Sequence, residues 1–182
     1  MLPVFRDEEL RQKLEAFLLP LYQDLDGASH VDEAERIGDI ARDLYVPATP
    51  VESRTLELLL AFHLLGHWLE KVGNISRTVL AVGGIDEADL RRTATSIRRL
   101  SEPTTGAERA VASAVLIDRA GVRGLAERLA GARREGRSLA EVAREALHED
   151  EVPEWLSDDA RAELERRRAQ RNAFCLQLLD ET

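Results

Sequence analysis

The chain has 182 residues, a net charge of −9, 44% hydrophobic and 32% charged residues, and a single cysteine. This composition fits one globular domain over residues 1–182 with a core of its own. The acidic balance argues against general nucleic-acid binding, and Cys175 alone excludes an internal disulfide or a multi-cysteine zinc site. No apolar run reaches membrane-spanning length and no signal segment opens the chain, so no membrane partner and a cytoplasmic location are expected.

Glycine and proline fall between segments of helical periodicity, and no segment alternates with period two for long enough to make a strand. The pattern predicts an all-α, single-domain helical bundle, with helices over about 7–26, 29–45, 50–72, 75–82, 86–100, 105–120, 122–134, 138–148 and 157–181. In the first, Leu10, Leu14, Phe17, Leu18, Leu21 and Leu25 form one apolar stripe, a core or interface face on which a homodimer or protein partner can dock. Ser29 is a candidate N-cap for the second. The third opens on Thr49-Pro50-Val51-Glu52, which combines an N-cap hydroxyl, proline at the first helical position and a capping-box glutamate.

The segment 50–72 is apolar on nearly every side, through Leu58, Leu59, Leu60, Phe62, Leu64, Leu65, Trp68 and Leu69. A helix of that kind is surrounded by others, so it is the expected centre of the bundle. Later punctuation is equally legible. Asn74, Asp86 and Ser157 are N-cap candidates, and Thr105-Gly106-Ala107-Glu108 and Ser138-Leu139-Ala140-Glu141 repeat the capping box. Gly73, Gly83-Gly84, Gly121 and Gly136 stand where helices should stop. Cys175 lies in an apolar stripe near the C-terminus and is expected in the core.

Two groups of residues can carry chemistry. His63 and His67 are four apart, hence on one face of a continuous helix, where imidazoles can chelate a transition metal. They can equally be two hydrogen-bonded structural histidines. The zinc-protease version needs a glutamate beside the first histidine, where this chain has Leu64. The second group is the arginine clusters Arg91-Arg92, Arg98-Arg99, Arg133-Arg134 and Arg166-Arg167-Arg168. They are either solvated helix faces or, at one or two positions, contacts for an anionic ligand.

Several segments also occur in a recognisable order. Ser29-His30 precedes Glu35-Arg36-Ile37 and Ala41; Ala61-Phe62-His63-Leu64-Leu65-Gly66-His67 follows; then come Ile85-Asp86-Glu87-Ala88-Asp89 through Ile97. Ala112-Ser113-Ala114 through Asp118, Gly121-Val122-Arg123-Gly124 and Ala162-Glu163-Leu164-Glu165-Arg166-Arg167 with Phe174 and Leu178-Leu179 complete the series. In this order, over about 28–181, the chain resembles small bacterial HD-domain phosphohydrolases similar to nucleotide pyrophosphohydrolases, with 1–27 as an added N-terminal helix.

That resemblance implies an HD-type helical bundle whose divalent metal is held by a histidine, a His-Asp pair and a later aspartate, and generates hydroxide. Here His63 matches the second histidine, Leu64 replaces its aspartate, and Ser113 stands at the later aspartate. Either His30 or Glu33 takes the first position, and the family's downstream histidine, expected near Arg99 or Leu100, is absent. A divalent ion in a partly buried site needs anionic ligands. The expectation is therefore a degenerate metal site and no resident cofactor.

The pocket would be lined by His30, Glu33, His63, Leu64, His67, Ser113 and Asp118, with His63 the one catalytic candidate. The expected role is a non-catalytic pseudoenzyme: a binding, regulatory or protein-interaction module for a nucleotide-like or other anionic small molecule. The alternative is a phosphohydrolase acting on nucleotides or phosphate esters through rearranged ligands. His63 with His30 or Glu33, joined by His67 and Asp118, would then hold a divalent metal. Asp118, five residues beyond Ser113, should however point elsewhere on its helix. A third reading is an all-α adaptor whose resemblance to the family is coincidental.

Overall fold

The computed structural model describes residue 18 and residues 29–65, 85, 87–148 and 151–181. These residues form seven α-helices and one 3₁₀ turn, with no strand among them. The helices are α1 (Ser29–Leu44), α2 (Pro50–Phe62), α3 (Glu87–Arg98), α4 (Gly106–Ala120), α5 (Val122–Arg134), α6 (Leu139–Leu147) and α7 (Asp158–Asp180), and the 3₁₀ turn His63–Leu65 follows α2 directly. The all-α reading holds. The expected helix over 75–82, most of the stripe on 7–26, and the caps Asn74 and Asp86 lie outside the described residues.

The chain divides into two compact units, Met1–Ala112 and Ser113–Thr182, with the boundary inside α4. In the first, α2 packs against α1 and α3. The buried face of α1 is Ala34, Ile37, Gly38 and Ala41, at i, i+3, i+4 and i+7, the spacing that keeps one stripe inward. Every residue of α2 from Leu56 to Phe62 is buried, Glu57 included, so this helix is enclosed as its composition requires. In the second unit, α5, α6 and α7 pack on one another. Leu125, Ala132, Val142, Ala143, Ala146 and Cys175 form its core, with Leu129, Leu147, Leu178 and Leu179 closing over them. The core placement of Cys175 is as expected.

Side-chain caps set most of the helix starts. Thr105 Oγ1 accepts from Glu108 N at 3.2 Å while Glu108 Oε2 accepts from Thr105 N at 3.0 Å, and Ser138 with Glu141 repeats the reciprocal pair. Ser157 caps α7 through Ala160 N. At α2 only half of the expected box forms. Thr49 Oγ1 accepts from Glu52 N, but the Glu52 carboxylate turns to Ala48 N at 2.8 Å and to the Tyr45 hydroxyl at 3.1 Å. Helix α5 ends on Gly136, whose φ of 75° is left-handed, and Arg137 N returns to Ala132 O at 2.9 Å. Glycine is required there because a Cβ disfavours that conformation.

One expected element needs correction. The α-helix predicted over 50–72 stops at Phe62 and tightens into 3₁₀ geometry at His63. The His63 ring explains the change. Its Nδ1 lies 2.8 Å from Leu60 O, and a carbonyl only accepts, so Nδ1–H donates. It thereby competes for the carbonyl that Leu64 N–H would take in a continued α-helix. The expected His63–His67 pair cannot be followed further, because His67 lies outside the described residues.

The turn between α4 and α5 depends on Gly124. A Cβ there would stand 2.1 Å from Arg119 O and 2.6 Å from Arg119 C, both main-chain atoms that no rotamer change can move. Gly124→Ala should therefore destabilise the protein by about 1–3 kcal/mol, as overpacking does. Urea denaturation at constant slope checks this; an unchanged midpoint would mean that the two helices separate freely.

Candidate functional site

Five of the sequence-predicted pocket residues fall in the first unit, and four of them, His30, Glu33, His63 and Leu64, are among the described residues. His30 Nδ1 and Glu33 Oε2 are 3.1 Å apart on the first turns of α1, so the two alternatives for the first ligand position engage each other. Both belong to one short stretch, three residues apart, and a carboxylate beside an imidazole fixes its ring orientation. His63 donates its Nδ1–H to Leu60 O, and its Nε2 is buried. Leu64 is half-buried beside it, a hydrocarbon with no donor or acceptor. His67 lies outside the described residues.

Ser113 and Asp118 belong to the second unit, where both are buried on α4. Among the described residues, no three His, Cys, Asp or Glu side chains stand together as a group able to hold a metal ion.

The first unit also carries a cleft of about 500 Å³ between α3, the start of α4 and Tyr45. Three of the arginines singled out in the sequence reach it: Arg91, Arg92 and Arg99. Arg91 pairs with Glu87, and Arg92 pairs with Asp89, which also accepts from Arg54 Nε at 2.9 Å. Burial pushes the Asp89 carboxyl up, but the two guanidinium groups outweigh it and hold it below the ordinary carboxylate value. Arg99 is exposed. Gly106 lines the cleft because the Tyr45 ring leaves no room for a side chain: a Cβ would stand 2.6 Å from Tyr45 Cε2.

Glu108, at the base of this cleft, is a buried carboxylate surrounded by donors. It accepts from Thr104 N and Thr104 Oγ1 at 2.9 Å each, from Thr105 N at 3.0 Å, and from the Ser96 hydroxyl. Burial raises its carboxyl, yet these bonds prevail and bring it down to about 2. Tyr45 shifts the other way: burial and its bond to the Glu52 carboxylate raise the phenol. These groups are held in fixed ionisation states at neutral pH. They shape the cleft without supplying an acid or base poised near pH 7.

No protein-family model, curated protein or solved structure matches this chain. Its chemistry is accordingly read from its own residues.

The remaining arginine clusters separate by environment. Arg133 and Arg134 are exposed on the last turn of α5, where cations complement the helix dipole. Arg166 and Arg167 pair with Glu163 on α7, as a solvated face should. Arg168 instead lines a second cavity in the second unit, together with Arg171, which the sequence reading missed. The available signal was positional. Arg171 falls seven residues after Leu164 and four before Cys175, both buried, so it shares their helical seam.

Proposed function

We propose that this chain is a degenerate HD-type helical protein, with no resident metal, that serves as a non-catalytic binding or regulatory module for an anionic small molecule. The order of segments from Ser29-His30 to Leu178-Leu179 supports the family reading, and the all-helical architecture agrees with it. The observation that carries the loss of chemistry is the His63–Leu64 turn. The histidine donates its Nδ1–H to Leu60 O, while the next side chain, where the family supplies a carboxylate, is a half-buried hydrocarbon. Ser113 contributes a neutral hydroxyl where the second carboxylate belongs. An ion without these anions keeps too little compensation for its own dehydration. A histidine acting alone as general base supplies only about 10²–10⁴-fold.

The test is metal analysis of the purified chain, then assay against nucleotides and a generic phosphate ester with added Mn²⁺, Co²⁺, Ni²⁺ or Mg²⁺. No stoichiometric metal and no turnover are expected. Metal-dependent turnover that disappears in His63→Ala, and survives in a distant surface variant, would overturn the reading. It would point to Glu33, His67 and Asp118 as replacement ligands.

A further inference from the structure

The cleft of the first unit has two sides of different hydrogen-bonding character. On one stand Tyr45, at the end of α1, with Glu52 and Thr55 from the first turns of α2. The Tyr45 hydroxyl donates to Glu52 Oε2 at 3.1 Å, and Thr55 Oγ1 donates to Val51 O at 2.8 Å. A hydroxyl has one proton and two lone pairs. Both oxygens have spent that proton inside the protein, so toward a ligand they only accept. The Glu52 carboxylate only accepts as well. This side therefore calls for a ligand group rich in donors.

The other side is built by α3. Arg91, Thr95 and Arg99 follow at four-residue spacing, the last just past the end of the helix, and all three line the cleft. A guanidinium only donates. Arg91 and Arg92 already pair with Glu87 and Asp89, whereas Arg99 stands exposed on the rim. Below them Glu108 is held by its own donors from Ser96, Thr104 and Thr105. This side calls for an acceptor group, and a carboxylate matches the guanidinium fork.

We propose that the cleft binds a small zwitterion, an aliphatic amino acid, with its ammonium group toward Tyr45, Glu52 and Thr55 and its carboxylate on Arg99. A primary ammonium carries three donors, no acceptor and a positive charge. It thus satisfies two accepting hydroxyls and a carboxylate together. A plain carboxylic acid would meet Arg99 but turn further lone pairs toward Glu52. A sugar hydroxyl would meet either side but bring no cation to that carboxylate. The volume of about 500 Å³ is that of a small-ligand site. The Tyr45 ring and Ala107 supply apolar surface for the aliphatic side chain. The inference goes beyond the reading above: the ligand is zwitterionic, and none of the described lining residues belongs to the expected metal pocket.

The experiment is calorimetric titration of the full chain at constant ionic strength with leucine, leucinamide, N-acetylleucine and glucuronate. Leucine should bind at one site per chain. Leucinamide, without the carboxylate, and N-acetylleucine, without the ammonium, should each bind about tenfold or more weakly, as expected for loss of a charged hydrogen-bonding group. Arg99→Gln should weaken leucine by about tenfold and leave leucinamide unchanged. Thr55→Val should weaken leucine by about threefold and leave N-acetylleucine unchanged. Arg134→Gln, on α5 of the second unit, should change nothing. Melting curves without ligand should keep Arg99→Gln and Thr55→Val within a few degrees of the parent, which separates lost contact from lost fold. N-acetylleucine as tight as leucine would overturn the ammonium assignment, and leucinamide as tight would overturn the carboxylate assignment. Glucuronate tighter than leucine would replace the zwitterion by a sugar acid. Absence of leucine binding, or binding indifferent to Arg99 and Thr55, would overturn the site itself.

Discussion

Glu57→Ala should cost the folded protein about 3–5 kcal/mol, the range for breaking a buried ion pair by removing one partner. Glu57 lies on the enclosed stretch of α2, and its Oε2 faces Arg42 Nη2 of α1 at 3.4 Å. The two side chains are only 5% and 9% exposed. Removal of the carboxylate leaves a guanidinium buried between two helices. The Asp39 carboxylate, 3.9 Å from Nη1 and exposed, is too loosely placed to replace it. The bond between the two charges is long, so the pair itself is not the source of the cost; the stranded Arg42 is. The double variant Arg42→Met/Glu57→Leu should accordingly recover most of the loss, since an apolar pair of similar volume carries no charge to desolvate. Urea midpoints for both single variants and the double give the coupling energy. A loss below about 1 kcal/mol for Glu57→Ala would mean that water reaches Arg42 easily.

The same residue shows where the sequence was legible and where it was not. Leu56 to Phe62 reads as a buried helix because apolar residues cover all sides, and it is buried on all sides. Glu57 in that run gave no sign of its partner, because Arg42 lies 15 residues away and the pairing needs the α1–α2 contact. Local capping chemistry was readable at Thr105, Ser138 and Ser157, where donor and acceptor are within three residues. It failed at Glu52, whose carboxylate found better donors in Ala48 N and Tyr45. At His63 a side-chain bond to the backbone displaced the helix that periodicity predicted.

Site legibility follows the same division. A motif of adjacent residues, His63-Leu64, could be compared directly with a known pattern. The cavity around Arg171 could not, because its cations come from α4, α5 and α7 and converge only after packing. Three of the four arginines described on it, Arg119, Arg128 and Arg171, lie outside every arginine cluster that the sequence displays. A run such as Arg166-Arg167-Arg168 divides by direction: two side chains serve the solvated face through Glu163, and the third turns to the cavity. Run length therefore says little about ligand contact, and helical phase says more.

Acid should remove about 3 kcal/mol of stability through Glu108 alone as pH falls from about 4.5 to about 2. In the unfolded chain this carboxyl takes its proton near 4.5, whereas in the folded protein it holds out to about 2. Between those values the unfolded state carries the extra proton, so each step downward in pH favours unfolding. The contribution is complete above about 4.5 and gone below about 2. Glu163 is also lowered to about 2, by its bond to Arg166 against the cost of burial, with Arg167 adding to it. Its side chain is 29% exposed and its partners are solvated cations, so its share should be about 1 kcal/mol or less and should fade with salt. Glu108 owes its position to neutral donors from Ser96, Thr104 and Thr105, 1% exposed and indifferent to ionic strength. Stability measured by urea denaturation between pH 2 and 5, at low and at high salt, separates the two. The salt-resistant part of the acid limb should disappear in Glu108→Gln, which also loses stability at pH 7 because an amide accepts less well from the same donors. An unchanged salt-resistant limb in that variant would place the titrating group elsewhere.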